Sequence, residues 1–66
     1  MKNNLKVKRA IRNITQEELA TIIGVSRQAI NSIELGKYVP STILALKLSK
    51  YFGTSVNDIF ELEDTD

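Results

Sequence analysis

The sequence predicts an all-α domain built from five short helices, and three observations carry that expectation. Thr15 and Glu18 have the spacing of a capping box, in which each side chain satisfies the other residue's backbone N–H, so a helix starts at Gln16. Gly24 and Ser26 then separate two amphipathic segments by a turn that leaves almost no linker. Gly36, Pro40 and Gly53 cut the remainder into further helix-length pieces.

Taken in order, Met1–Asn3 carries no helical pattern and is expected to be extended or frayed. Asn3 or Asn4 caps a first helix that runs to about Arg12 or Asn13. Its apolar positions are Leu5, Val7, Ala10 and Ile11, and Ile14 closes it onto the core. The second helix, from Gln16, turns Leu19, Ala20, Ile22 and Ile23 inward and ends at Gly24, where a positive φ is expected. Ser26 caps a third helix, Arg27–Leu35, whose inward positions are Ala29, Ile30 and Ile33. So short a turn makes the second and third helices cross steeply, and Ala20 is the small residue that contact requires.

Gly36 ends the third helix, and Pro40 blocks its continuation. Ser41 or Thr42 caps a fourth helix reaching about Phe52, with the stripe Leu44, Leu48, Tyr51 and Phe52, and with Ala45 and Leu46 near its edges. After Gly53, Ser55 caps a fifth helix, Val56–Phe60, with Asn57 and Asp58 in the first turn, where amides and acids are favoured. Glu61–Asp66 is a short acidic tail, expected to be mobile unless Leu62 docks.

At 66 residues the chain makes one small domain near the lower limit for independent folding, so help from dimerisation is expected. With no Cys and no His, a disulfide framework, a Cys/His zinc site and His-based catalysis are excluded. No Gly-rich phosphate loop and no acid cluster stands in the helical body, and the tail carboxylates lack the fixed geometry a cation needs. Neither an enzyme nor a cofactor is expected. No apolar run approaches the roughly 18–20 residues of a membrane span, and no signal peptide precedes the domain, which makes the cytoplasm the expected location.

The net charge of +1 conceals a division. Residues 1–60 carry all nine Lys and Arg against four acids, a balance of +5, while the last six residues carry four acids alone, −4. A basic body with an acidic tail suits a phosphate-bearing partner met by the body. Two capped helices joined by a Gly-bearing turn make a helix-turn-helix, whose second helix lies in the DNA major groove in proteins that read sequence. Its outward residues here are Arg27, Gln28, Asn31 and Ser32. Arg pairs with guanine, and Gln and Asn with adenine. An ordinary solvated face would be rich in Glu and Lys, and this one has neither before Glu34. Phosphate anchors flank it: Gln16 at a helix N-terminus, and Lys37 with Tyr38 just past the reading helix. Tyr38 has the alternative role of covering the core.

The words TQEELA, IGVSRQAINSIELGK, PS and ALKLSKYFGTSVNDIF resemble the Cro/repressor (Xre-type) helix-turn-helix regulators from about Leu5 to Phe60, most closely the short members without a second domain. The resemblance implies a five-helix, lambda-repressor-like fold whose terminal segments pair as a small β-ribbon. It also implies that Arg9 meets Glu34 as a bridge between the first and third helices, and that Gln16 contacts the phosphate backbone. Lys8 and Ile43 depart from the family pattern, which favours an aliphatic and a polar residue there.

The implied function is that of a regulator, a repressor above all, which binds double-stranded DNA at an inverted-repeat operator. One such domain reads about half a site, so a homodimer is expected. Val56, Ile59, Phe60 and Leu62 are its interface candidates, because the last helix is too short to bury them all internally. The alternative is an antitoxin-like or modulator module that binds protein, using the exposed Ile43 and the acidic tail.

Overall fold

The computed structural model describes all of residues 1–66. A short strand β1 (Lys2–Asn3) leads into α1 (Leu5–Ile11), α2 (Gln16–Ile23), α3 (Arg27–Glu34) and α4 (Thr42–Phe52). A single 3-10 turn, Val56–Asp58, then precedes strand β2 (Phe60–Glu61). The two strands pair antiparallel, with Lys2 opposite Glu61 and Asn3 opposite Phe60. None of the helices is long and apolar enough to cross a membrane.

The local signals act as their chemistry dictates. Thr15 Oγ1 accepts from the N–H of Glu18 at 3.0 Å while Glu18 Oε1 accepts from the N–H of Thr15 at 3.0 Å. Ser26 and Ser41 accept from the N–H groups of Ala29 and Leu44. Gly24 closes α2 at φ +88°, a conformation that costs an L side chain about 1–2 kcal/mol. A Cβ added there would meet nothing within 4 Å. Gly24→Ala is therefore expected to lower stability by about 1 kcal/mol through backbone strain alone, and Gly24→Asn by less. Urea melts of the two variants check this; equal losses would point to a steric cause instead.

The core gathers one or more residues from every helix and from the terminal segment. Leu5, Leu19, Ala20, Ile23, Ile30, Ile33, Leu44, Leu48, Phe52, Ile59 and Phe60 are buried, and no polar or charged residue is buried with them. Ala20, the small residue expected at the contact of α2 and α3, is among these buried residues.

The first helix differs from expectation in which face it buries. Only Leu5 of α1 is buried, whereas Ile11 is 75% exposed and Val7 and Ala10 face solvent. The inward stripe runs instead through Leu5, Lys8 and Arg9, at i, i+3 and i+4. Lys8 and Arg9 are half-buried, which long cationic side chains allow because the stem can be covered while the head stays wet. One turn further on, the Arg12 guanidinium sits 4.8 Å from the centroid of the Tyr51 ring, and Tyr51 meets Phe52 edge to face at 4.9 Å. Ile22 of α2, also expected inside, is about half exposed.

The fifth helix is a second correction. The chain makes one 3-10 turn at Val56–Asp58 and then extends, because Ile59 and Phe60 are needed elsewhere. The Ile59 carbonyl accepts from the N–H of Asn4 at 2.9 Å, and Phe60 pairs with Asn3 in the ribbon. The two asparagines sew this seam. Asn4 donates its side-chain amide to the Asp58 carbonyl, and Asn3 donates to the Ile33 carbonyl near the end of α3 while its own Oδ1 caps Leu5. Four helices and a two-stranded ribbon result.

The tail does not hang free. The Met1 ammonium lies 3.0 Å from Glu63 and 3.1 Å from Asp66. The N–H of Glu63 and that ammonium together hold the Asp66 carboxyl below its ordinary range. Leu62 plays no part in this, being 77% exposed.

Candidate nucleic-acid interface

The outer face of α3 follows from its inner one. With Ile30 and Ile33 buried and Ala29 half-buried, residues 27, 28 and 31 lie on the opposite side of the cylinder. Arg27, Gln28 and Asn31 are exposed there. Ser32 is half-buried at the edge, and its carbonyl accepts from the N–H of Lys37 at 2.9 Å and of Tyr38 at 3.3 Å. Those bonds fold the end of α3 back on itself, so Lys37 and Tyr38 stand exposed beside its C-terminus. Tyr38 does not cover the core.

A charged clamp fixes α3 against α1. Arg9 Nε donates to Glu34 Oε2 at 2.8 Å and Nη2 donates to Oε1 at 3.2 Å, a two-pronged contact. The third guanidinium nitrogen, Nη1, donates to the Ile14 carbonyl at 2.8 Å, which ties in the α1–α2 link as well. The Glu34 side chain is 5% exposed. Its hydrogen bonds raise the proton affinity of the Arg9 guanidinium, outweighing the opposing effect of partial burial.

The same carboxylate reaches a third helix. Gln16, the first residue of α2, donates its side-chain amide to Glu34 Oε1 at 3.2 Å and to Asn31 Oδ1 at 3.1 Å. The side-chain donors of Gln16 are therefore engaged within the protein, and the first-turn N–H groups of α2 are the ones left to face an anion. No pattern within either helix alone signals the Gln16–Asn31 bond; it joins residues fifteen positions apart.

The four residues expected at a dimer interface separate into two groups. Ile59 and Phe60 are buried in the protomer's own core, so the supposed excess of apolar surface in the last segment is smaller than the sequence suggested. Val56 is half-buried and Leu62 is exposed. On α4, Ile43 and Leu46 are exposed one turn apart, with Val39 exposed just before the helix.

A family model described as "Helix-turn-helix" matches residues 5–59. An uncharacterized HTH-type transcriptional regulator of Methanocaldococcus jannaschii is 58% identical over 64 residues, 97% of each chain. The HTH-type regulator YgzD of Bacillus subtilis is 47% identical over 64 residues, again 97% of each. A further HTH-type regulator, from Archaeoglobus fulgidus, is 44% identical over 97% of this chain and 90% of its own. With the capped helix pair, the charged clamp and the polar outer face of α3, these likenesses identify the chain as a member of the Xre-type helix-turn-helix family.

Proposed function

We propose that this chain is a sequence-specific regulator of transcription that binds double-stranded DNA as a homodimer, on an inverted-repeat operator, and represses by occluding polymerase in the cytoplasm. The observation that carries the proposal is the outer face of α3, where Arg27, Gln28 and Asn31 stand exposed with Lys37 and Tyr38 beside the helix end. These are the side chains that discriminate base edges, and they lie on a basic body. Arg27, Gln28 and Asn31 read bases, with Ser32 a lesser participant at the edge. Lys37, Tyr38 and the first turn of α2 at Gln16 hold phosphates. The names of the relatives, which are those of transcriptional regulators, favour the same reading.

The homodimer draws on the exposed apolar residues Val39, Ile43, Leu46 and Leu62, with Val56 at the margin. An isologous contact through them would set two reading helices about 34 Å apart, one turn of DNA. Ile43→Asp is expected to shift the sedimenting species toward monomer and to lower affinity for a full site more than for a half site.

The test of the function is a titration against duplexes from the chain's own promoter region and against scrambled duplexes. Specific binding about a thousandfold tighter than nonspecific binding is expected, weakening steeply with salt. Equal affinity for both would favour the protein-binding alternative, to which the exposed Ile43 is equally suited.

A further inference from the structure

We propose that the outer face of α1 is a docking surface for another protein, which it meets through an amphipathic helix whose apolar stripe is edged by Asp and Glu. The starting point is that α1 is built inside out. Leu5 is fully buried, yet Val7 is 57% exposed, Ile11 is 75% exposed and Ala10 faces solvent. At about 100° per residue, Val7, Ala10 and Ile11 all fall within roughly 60° of the line opposite Leu5. Three of the helix's four apolar residues therefore form one stripe pointing away from the core. Single exposed apolar residues are ordinary, but a continuous stripe marks a surface that another element covers. Nothing in the protomer covers it. The contacts that hold α1 all leave from its other side or its ends: Arg9 bonds to Glu34 of α3, Arg12 sits over the Tyr51 ring of α4, and Asn4 joins the terminal segment.

Charge decides the occupant. Lys6 and Lys8 border the stripe on its two sides. Before Glu17 the chain carries five of its nine cationic residues and no acid. Ion pairs engage only the Met1 ammonium and Arg9, so Lys6, Lys8 and Arg12 have no carboxylate partner. The α1 of a second copy would set lysines against lysines, which opposes self-association through this face. Carboxylates placed at the edges of a partner's stripe complement it. Ala10, between Val7 and Ile11, leaves a low point on the ridge, as helix-on-helix packing requires. With seven residues α1 offers a small contact, so the complex is weak and reversible.

Placement gives the surface its use. Arg9, which faces α3, lies about 160° round α1 from Val7. An occupant of the stripe therefore leaves the outer face of α3 free, and a partner and DNA can be held together.

The probes for the experiment are two synthetic peptides of about 20 residues with the same leucine stripe, one edged by Glu and the other by Lys. In NMR titrations of the whole protein, the Glu-edged peptide is expected to shift the amides of Val7, Ala10 and Ile11 and to bind at least about tenfold more tightly than the Lys-edged one. Val7→Gln with Ile11→Gln is expected to weaken that binding about tenfold, with the melting temperature and the affinity for DNA unchanged. Lys6→Glu with Lys8→Glu is expected to reverse the preference between the peptides, and Lys6→Glu alone serves the same purpose should the pair unfold the protein.

A Glu-edged peptide that leaves the α1 signals unmoved, or two peptides that bind alike, would overturn the proposal. Shifts of the Val7 and Ile11 signals on phosphatidylglycerol vesicles, equal to those with the Glu-edged peptide, would assign the stripe to a membrane surface instead. A lower melting temperature in Val7→Gln with Ile11→Gln would make the stripe part of the protomer's own packing, and a lower affinity for DNA would make it part of the DNA interface; either contradicts the proposal. Parent protein that binds no DNA would sink the DNA-binding reading alone, since the peptide titrations do not depend on it.

Discussion

Glu34→Ala is expected to lower the unfolding free energy by about 3 kcal/mol, because it leaves the Arg9 guanidinium partly buried without its carboxylate. In a domain this small the core supplies only about 3–5 kcal/mol of net stability, so about 0–2 kcal/mol would remain and up to about half the molecules would be unfolded. The loss extends beyond one pair. Arg9 also holds the Ile14 carbonyl, and Glu34 also holds Gln16, so the clamp joins α1, the α1–α2 link, α2 and α3. A substitution that removes both charges in favour of apolar residues of similar size, such as Arg9→Met with Glu34→Leu, is expected to recover much of the loss. Thermal and urea melts of the parent and the two variants measure this. A Glu34→Ala melt that overlays the parent would show that the bridge adds nothing to stability.

Gln28→Ala and Lys37→Ala are expected to separate reading from anchoring. Gln28 is exposed on the outer face of α3, and its amide is suited to a bidentate contact that depends on the base opposite. Removing it should cost about 1–3 kcal/mol on the cognate site and little on scrambled DNA. Lys37 stands exposed past the helix end, and the role proposed for it is to meet phosphates, which are the same at every site. Its removal should weaken both duplexes alike and make the salt slope shallower by about 0.9 for each phosphate no longer neutralised. Titrations at several salt concentrations distinguish the two patterns, and proportional losses in both variants on both duplexes would contradict this division of roles.

The helix-turn-helix pair was legible because its signals are local. Thr15 with Glu18, Gly24 and Ser26 each act on backbone within a few residues, so their effect follows from spacing alone. Arg9 and Glu34 were paired through family likeness rather than periodicity, and the structure brings them to 2.8 Å. What stayed hidden depends on partners distant in sequence. The apolar positions of α1 pointed to Val7, Ala10 and Ile11, yet the helix turns Leu5, Lys8 and Arg9 inward, with Arg9 bonded to Glu34 and, just past the helix, Arg12 over the Tyr51 ring. Val56–Phe60 has the pattern of a short helix, but pairing with the N-terminal segment draws Phe60 into a strand and Ile59 into the core. The proposed interface therefore draws on the exposed surface of α4 rather than on Ile59 and Phe60, which are buried in the core. Within the proposed reading face, residue types indicated which side chains could meet bases. The bond between Gln16 and Asn31 could not be read, because it joins residues on two different helices.

The most direct test of sequence-specific, two-fold DNA recognition is selection of binding sites by the parent protein from a pool of random duplexes, followed by sedimentation of the protein on the enriched site. The expected result is an inverted repeat whose half-site centres lie about 10–10.5 base pairs apart, occupied by two protomers. A pool that remains random after repeated rounds would contradict sequence-specific recognition, and an enriched site that binds one protomer without symmetry would contradict the dimer.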